Sequence, residues 1–454
     1  MDEKRKYIYE GMSVPRAVST MVVPTVISQL ISMIYNMADT FFVGQLGDPA
    51  QVAAVSIAAP AALVLTALAN LFGIGGASVL SRSLGKGEED GARSAVSFSM
   101  YAALCTALAI SAAFALFPGA LLRLLGADGT TEPFAERYAR WVIVFGAVPS
   151  LLSMVMSHFV RADGAAKLAG YVLSAGGVLN LILDPVFMFS WGLGLGITGA
   201  ALATFLSNLM TLCLFAGYFF RQRRNSAVSF RPVAFSTGIA PAVLAAGLPG
   251  MLQTLLASVS NAVLNNVARP FGASALASLG IVKKLDQIPM SVTIGMAQGI
   301  VPLLGYSYSA GNTPRMKHTL RFTLALAECF SLACVLCYEC FAGPLVRFFL
   351  DDPSTVMTGA SMLRVMCLST PLMAVSFLLI TTFQATGKNR VGALLSVLRK
   401  GAVDIPILLI LGLVSAPLLS LAFVQPVSEL AAMLAAIYFL RKNFGAAGLE
   451  ADRK

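Results

Sequence analysis

Twelve apolar stretches, each long enough to cross a lipid bilayer, constrain this chain more than any other feature. A helix needs about 20 residues to cross a hydrocarbon core of ~30 Å, and every stretch is longer than that. Backbone polar groups within lipid must be satisfied inside the segment, so each stretch is expected to be an α-helix. The predicted spans are 17–43, 52–81, 95–122, 134–160, 168–190, 196–220, 238–268, 275–305, 318–347, 358–384, 392–414 and 417–440.

Composition supports an all-α membrane protein. Hydrophobic residues make up 57% of the 454 residues and charged residues only 12%, whereas soluble domains carry about 25% charged residues. This balance excludes cytosolic enzymes, secreted disulfide scaffolds and disordered chains. The net charge of +10 is divided among short basic clusters between the spans. It therefore indicates membrane topology rather than nucleic-acid binding, and the lipid bilayer is the expected partner.

The basic clusters also predict the orientation of the chain. If the N-terminus is cytoplasmic, the segments on that side hold 24 of the 32 Lys and Arg residues, Arg399 and Lys400 among them. Short loops rich in Lys and Arg stay on the cytoplasmic side. We therefore expect a multi-pass protein of the cell membrane with both termini in the cytoplasm. No cleavable signal peptide is evident, so the first span is expected to be retained.

The chain contains an internal repeat of 225 residues. The segment 23–47 resembles 248–272, with Pro24 aligned to Pro249. Each half holds six predicted spans, so both halves start on the same side of the membrane. This arrangement predicts two six-helix bundles related by a pseudo-two-fold axis along the membrane normal.

The repeat also predicts the domain boundaries. The N-terminal lobe is expected at 1–220 and the C-terminal lobe, with a short cytoplasmic tail, at 238–454. The basic segment 221–237 is the predicted cytoplasmic linker between them.

Polar residues within the first and fifth spans indicate an ion-coupling site. Ser28, Ser32, Tyr35 and Asp39 recur at helical spacing, and Asn180 precedes Asp184 by four residues. Around the first of these groups, polar side chains flank nearly the same helix face: Gln29, Asn36 and Thr40. A charge at the centre of a membrane helix costs about 2.5–3.5 kcal/mol, so two such acids in one lobe favour a functional site over a hydrogen-bonded packing face. The predicted coupling residues are Tyr35, Asp39, Asn180, Asp184 and Thr204.

Oxygen ligands of this kind suit a proton or a hard monovalent cation, and they do not distinguish Na⁺ from H⁺. No cofactor is predicted, and no metal beyond Na⁺ at this site. Pro185 leaves the carbonyl of Leu181 without its helical donor, which provides a further ligand, a hinge or an ordinary kink. Pro24 is the second predicted hinge.

The C-terminal lobe lacks the acid of the first span, because the repeat aligns Asp39 with Leu264 and Tyr35 with Ser260. Ion coupling is therefore expected in the N-terminal lobe. Lys283 and Asp286 are three residues apart, a spacing at which a direct ion pair between them can form. The sequence leaves open whether the charges of this lobe take part in transport: Lys283, Lys284, Asp286, Glu328, Asp404 and Glu429.

Enzyme motifs are missing or out of place, so no catalytic residue is predicted. GLGITG at 194–199 matches a dinucleotide-binding pattern, but it joins two membrane spans and follows no βαβ strand. The sequence contains no H-E-x-x-H, G-x-S-x-G or P-loop.

Several motifs in their order along the chain are similar to those of the multidrug and toxic compound extrusion (MATE) family. They are YNMADTFFVGQLG, GIGGASVLSRSLGKGE, LNLILDPVFMF followed by GLGITGAALAT, and FQATGKNR. The resemblance covers nearly the whole chain and is closest to the bacterial DinF-like and MepA-like branch. It implies cation-coupled antiport of organic, often cationic, compounds out of the cell.

The resemblance also implies roles for particular residues. It implies an ion site at the five predicted coupling residues and a cavity role for Tyr138. One family branch has a Glu eight residues after the proline of span seven, where this chain has Ala257, so coupling of that kind is not expected. The predicted substrate-cavity residues are Gln29, Asn36, Tyr138, Asp286 and Gln287.

The leading hypothesis is a Na⁺- or H⁺-coupled exporter of organic drugs or toxic compounds, acting as a monomer. The alternatives are a lipid-linked precursor flippase of the wider superfamily and a membrane enzyme. A flippase would show a more cationic cleft and often further spans. The identity of the substrate and the stoichiometry of exchange stay open.

Overall fold

The computed structural model describes residues 6–221, 238–350, 352–414 and 416–444, and within them the regular structure is entirely helical. The predicted linker lies outside the described residues except for Arg221, which ends a helix, and so does the tail beyond residue 444. A π-helix, Tyr7–Gly11, precedes the first span. The first lobe contains α1 (Val14–Gly44), α2 (Pro49–Lys86), α3 (Glu89–Leu116), α4 (Glu132–Phe145 and Ala147–Ala162, bent by 47°), α5 (Ala166–Met188) and α6 (Ile197–Arg221).

The second lobe repeats this series of six membrane helices. The prediction of twelve spans in two six-helix bundles is therefore confirmed, with boundaries that differ by a few residues. The second lobe contains α7 (Ile239–Ala268), α8 (Ala273–Ser309), α9 (Thr313–Phe349), α10 (Pro353–Cys367 and Ser369–Ala385, bent by 41°), α11 (Asn389–Ser396, Val397–Asp404 and Ile405–Leu413) and α12 (Leu418–Phe444).

Corresponding turns of the two lobes share a left-handed glycine. Gly47 follows α1 with φ of 68°, and Gly272 follows α7 with φ of 90°. Residues with a side chain rarely adopt this conformation, so both turns require glycine. The internal repeat of the sequence is thus also a repeat of backbone geometry.

The middle of α11 corrects one topology assignment. Arg399 and Lys400 were counted with the cytoplasmic basic residues, but they lie in the π-helical segment Val397–Asp404 inside the span. Arg399 is only 3% exposed. These charges are tolerated there because acidic residues of the same lobe pair with them, as described below.

The two lobes contact each other closely at the end of the molecule that holds the N-terminus, here called the closed end. A Cβ atom on Gly247 of α7 would collide with the backbone carbonyl of Leu71 on α2. Slightly deeper, the amide of Asn70 donates a hydrogen bond to the Thr254 hydroxyl, at 2.9 Å. Small residues at a helix crossing let the backbones approach in this way.

A second crossing joins α1 to α8 at the same end. Gly295 faces Val26 and Gly299 faces Val22, each without room for an added Cβ. One cluster of buried apolar side chains extends from α1 into α8, α9, α10 and α12, and so spans both lobes. The hydrophobic effect therefore holds this end together.

The N-terminal π-helix strengthens the closed end. The Tyr9 hydroxyl donates to the carbonyl of Ala162 at the end of α4, at 2.7 Å. Its ring stacks on Tyr306 of the second lobe, with centroids 4.7 Å apart. Arg315 of α9 donates to the carbonyls of Ile8 and Met12. The segment thus ties the two lobes to each other.

Candidate functional site

The helix α1 presents one face to the interior of its own lobe and another to the second lobe. The inner face packs on α5 through two glycines. Gly170 lies against the carbonyl of Pro24, and Gly177 lies against the ring of Tyr35 and the γ-methyl group of Ile31. Asp39 lies one turn beyond Tyr35 on this face, so it approaches the end of α5 that carries Asp184.

The structure brings the predicted coupling residues together. Asp184 is fully buried, and its Oδ1 accepts a hydrogen bond from the Asn180 amide at 3.1 Å. The same amide lies 3.4 Å from the Thr204 hydroxyl on α6. Asp39 and Asp184 are within electrostatic range of each other and of the Tyr35 hydroxyl. Three helices of the first lobe therefore supply one oxygen-rich site.

Two carboxylate oxygens in this site have no partner. Within the described part of the chain, Asp39 Oδ1 and Asp184 Oδ2 are buried and accept no hydrogen bond. Neither acid forms a salt bridge with any described Lys or Arg. A buried carboxylate is costly unless it is paired, protonated or bound to a cation. The arrangement can therefore hold a proton or a small cation.

Tyr138 lies beside this site rather than on the cleft surface. It is 8% exposed, packs in the apolar interior of the first lobe, and is within electrostatic range of both Asp39 and Asp184. Tyr138 was predicted to line the substrate cavity, and the structure places it nearer to the two acids of the ion site. The hydroxyl is well placed to contribute to the environment of the two acids.

The other polar face of α1 points toward the second lobe. Val22 and Val26 contact α8, and Gln29 lies seven residues beyond Val22, which is two turns along the same face. Asn36 and Thr40 continue this stripe and are exposed. The sequence placed these residues beside Asp39 on nearly one face, but packing on α5 separates them. Because this stripe continues the face that contacts α8, we infer that it forms one wall of a cleft between the lobes.

In the second lobe, the predicted pair of Lys283 and Asp286 is bridged by a third residue. Lys283 Nζ donates to Gln425 Oε1 at 3.1 Å, and Gln425 Nε2 donates to Asp286 Oδ2 at 2.9 Å. No direct ion pair joins the two charges among the described residues. The prediction of a direct pair is wrong, because Gln425 of α12 reaches both groups. Asp286 faces this interior rather than the cleft, whereas Gln287 is exposed.

Two direct ion pairs extend this buried network. Arg399 Nε lies 2.7 and 2.8 Å from the two oxygens of Glu429, and both side chains are almost fully buried. Lys400 Nζ lies 3.4 Å from Asp404, which also accepts hydrogen bonds from Ser428 and Ser260. Its three acids are matched by three basic residues. The charges of this network therefore balance one another within the second lobe, unlike those of the carboxylate site in the first lobe.

Reasoning from sequence missed the partners in this network. Gln425, Ser428 and Glu429 recur at helical spacing along α12, which was the available signal. Glu328 on α9 is separate from the network, and its Oε1 is buried without a described partner.

Two pseudo-symmetric six-helix bundles, polar exposed faces between them, and two acids in one bundle that no described residue pairs define a polytopic membrane transporter. The MatE family domain matches residues 24–186 and again 249–410, once in each lobe. The chain belongs to the MatE (MATE) family of transporters, and it is not an enzyme and needs no cofactor.

Relatives match over nearly the full chain. Multidrug export protein MepA of Staphylococcus saprophyticus is 32% identical over 444 residues, which are 97% of each chain. MepA of Staphylococcus aureus is 30% identical with the same coverage.

Solved structures share the fold. An outward-facing multidrug resistance MATE family transporter superimposes with a TM-score of 0.90 at 25% identity and covers 99% of each chain. A MATE transporter in complex with MaL6 gives the same score and identity, covering 99% of this chain and all of the other. Small molecules are therefore the class of substrate, and the protein is a multi-pass membrane protein.

Proposed function

We propose that the protein is a secondary antiporter that exports organic, cationic drugs or toxic compounds in exchange for Na⁺ or H⁺. The observation that carries this proposal is the pair of buried carboxylate oxygens, on Asp39 and Asp184, that no described residue satisfies. The names of the full-length relatives, multidrug export proteins, support the drug-export part. The same names do not favour the flippase alternative.

The proposed orientation places both termini in the cytoplasm of a cell-membrane protein. The closed end then faces the cytoplasm, and the cleft opens to the outside. The lobes are proposed to be residues 1–220 and 238–454, with 221–237 as their cytoplasmic linker, and one chain is proposed to be sufficient for transport. In this state the substrate leaves the cleft and an ion enters from outside.

The proposed coupling works through the charge of the first lobe. A proton or Na⁺ bound by Asp39 and Asp184 neutralises the site, which weakens its attraction for a cationic substrate. An inside-negative potential favours entry of a positive ion by roughly 2.3 kcal/mol per charge per 100 mV for full transfer. Pro24 and Pro185 are the proposed hinges, because each interrupts the hydrogen-bond ladder of a helix that lines the site.

Purified protein in vesicles with an imposed Na⁺ or H⁺ gradient tests the proposal. The wild type should drive a cationic dye against its gradient, and the ion that supports transport identifies the coupling ion. Asp39→Asn keeps the shape of the side chain but removes its titratable charge, so it should abolish gradient-driven transport with a normal yield of folded protein. Asp184→Asn should act in the same way, more weakly if Tyr35 and Asn180 still hold the ion.

Asp90→Asn is the matched control, since Asp90 is an exposed carboxylate in the first turn of α3. It should transport as the wild type does. Wild-type rates in Asp39→Asn would rule out the proposed coupling. A loss of folded protein that parallels the loss of transport would instead assign Asp39 to a packing role.

A further inference from the structure

We infer that Lys284 on α8 forms, with neighbouring amides, an anion-recognition point on the second lobe's wall of the cleft. The ligand class is an organic compound that carries a carboxylate in addition to its cationic group, that is, a zwitterion. This inference rests on the proposed export function and deepens it by naming a feature of the substrate. Four observations on α7, α8 and α1 carry it.

The register of α8 directs Lys284 toward the first lobe. Gly295 and Gly299 of α8 are the residues that contact α1. Lys284 precedes Gly295 by eleven residues, close to three full helical turns, so it lies on the same face. At 1.5 Å per residue it stands roughly 16 Å above the crossing of α1 and α8. That position is within the cleft rather than at its floor.

Gln287 has the same relationship to a second contact residue. It precedes Gln298 by eleven residues, and Gln298 accepts a hydrogen bond of 2.8 Å from Arg161 of the first lobe. Gln287 is therefore directed toward the first lobe as well. Both Lys284 and Gln287 are exposed.

Amides of α7 continue this wall. Thr254 bonds to Asn70 of the first lobe at the floor of the cleft. Asn261 and Asn265 lie seven and eleven residues beyond Thr254, on the same face, and both are exposed. Such amides can donate hydrogen bonds to a carboxylate, which strengthens an ammonium contact.

The exposed face of α8 differs from faces that contact lipid. On α9 the strongly exposed side chains include Leu332 and Leu336, and on α12 they include Leu434. An exposed lysine at this depth would be costly in hydrocarbon. A polar exposed stripe on α8 therefore indicates a water-filled cleft.

The two adjacent lysines of α8 have different roles. Lys283 points into its own lobe and donates to Gln425 within the charge-balanced network. Lys284 has no hydrogen-bond or ion-pair partner among the described residues and adds one net positive charge to the cleft. The first lobe supplies the acids Asp39 and Asp184. These acids lie inside the first lobe, behind its wall of the cleft, but their negative charge still attracts a cationic group in the cleft. A zwitterion therefore interacts favourably with both lobes, whereas Lys284 repels a pure cation.

Two forms of one dye test the inference: a rhodamine with a free carboxylate, which is a zwitterion, and the ethyl ester of that dye, which is a cation. Binding to purified protein and ion-driven transport in vesicles are measured for both. Lys284→Gln should weaken binding of the free acid about tenfold, equivalent to about 1.4 kcal/mol, and leave the ester unchanged or bound more tightly. Lys284→Arg should retain preference for the acid. Lys86→Gln, which removes an exposed lysine at the closed end of α2, is the matched control.

The outcomes separate this inference from the proposed function. The recognition point would be overturned if Lys284→Gln affected both dyes equally or affected neither dye. It would also be overturned if the wild-type protein bound and transported only the ester. Each of these results would leave ion-driven export in place. Failure of the wild type to transport either dye under any ion gradient would overturn the proposed function as well.

Discussion

Asp404 occupies in the second lobe the position that Asn180 occupies in the first. Asn180 donates to Thr204 on α6, and Asp404 accepts from Ser428 on α12 with the same separation along the chain. The packing beneath them also corresponds. Gly177 lies against Ile31 and Tyr35 of α1, and Gly401 lies against Leu256 of α7. The two lobes thus share the same backbone arrangement at this position but carry different side chains there.

The difference explains why ion coupling is proposed for one lobe only. Beside Asn180, two acids have no cationic partner within the part of the chain that the structure describes. Beside Asp404, Lys400 supplies the cation from the same helix, 3.4 Å away. A resident ammonium group is not released during transport. The second lobe therefore holds permanently the kind of charge that the first lobe is proposed to bind and release.

The first prediction compares the stability of two isosteric substitutions. Asp404→Asn leaves the largely buried ammonium of Lys400 unpaired and should destabilise the protein by about 3 kcal/mol. Asp39→Asn removes a charge that no described residue pairs, so the stability of this variant should match or slightly exceed that of the wild type. Thermal unfolding of the two purified variants in the same detergent provides the comparison.

The double variant Lys400→Met with Asp404→Asn serves as the control for this first comparison. It removes both charges and should recover most of the stability that Asp404→Asn loses. If the double variant is no more stable than the single one, Lys400 and Asp404 do not stabilise each other.

The second prediction concerns movement at the floor of the cleft. Cysteines at positions 70 and 254 replace side chains that are in hydrogen-bond contact at 2.9 Å, so Asn70→Cys with Thr254→Cys should form a disulfide readily in a background without the seven native cysteines. The crosslink should hold the closed end together and block transport. Reduction should restore transport, and gel mobility with and without reductant measures the crosslink.

Cysteines at Asn36 and Asn265, on opposite walls of the open part of the cleft, form the contrasting pair. They should crosslink poorly at rest and increasingly during turnover. Full transport by the crosslinked Asn70→Cys, Thr254→Cys protein would show that the floor does not need to open.

The sequence predicted the fold well because its strongest signals are local. Span length, hydropathy and loop charge need no knowledge of packing, and the repeat of Pro24 as Pro249 reveals the two-lobe plan directly. The same local reasoning grouped Asp39 with Asn36. The structure separates them, because packing of α1 on Gly177 of α5 decides which face turns inward.

Side-chain partners on distant helices were beyond such reasoning. Lys283 and Asp286 have the spacing of a helical ion pair. Instead, both side chains form hydrogen bonds with Gln425, which lies more than a hundred residues later in the chain. From the sequence, Arg399 and Lys400 look like basic residues of a cytoplasmic loop. The structure shows that they form ion pairs with Glu429 and Asp404 inside the span. The identity of a buried charge's partner is a property of the three-dimensional packing.

The third prediction tests the orientation in the membrane. Cysteines introduced near Gly87 and Asn312, in turns at the closed end, should react with a membrane-impermeant thiol reagent only from the cytoplasmic side. Cysteines near Asp128 and Asp352 should react from the outside. Asn225, in the predicted linker, should also be cytoplasmic. Labelling of residue 225 from outside would contradict both the span count and the orientation.

The last prediction concerns two equivalent acids in the turns before α4 and α10. Hydrogen bonds from Thr130 and Thr131 hold the pKa of Asp128 well below its usual range. Bonds from Ser354 and Thr355 lower the pKa of Asp352 in the same way. Because the pKa is depressed in the folded state, each acid stabilises the fold above its unfolded pKa of about 3.9. That contribution is lost as the pH falls through the folded pKa.

The measurement for these turns is the Tm of the wild type and of Asp128→Asn between neutral pH and pH about 3. Wild-type Tm should exceed that of the variant at neutral pH, because the bonds from Thr130 and Thr131 converge on one oxygen of Asp128 and are stronger to an ionised carboxylate than to the neutral carbonyl of Asn. The difference should begin to narrow as the pH drops below about 4, where the carboxylate protonates in the unfolded state but stays ionised in the folded state. Asp352→Asn should follow the same course, since its turn has the same bonding pattern. A Tm difference that stays constant across this range would show that the charge of the acid contributes nothing to the turn.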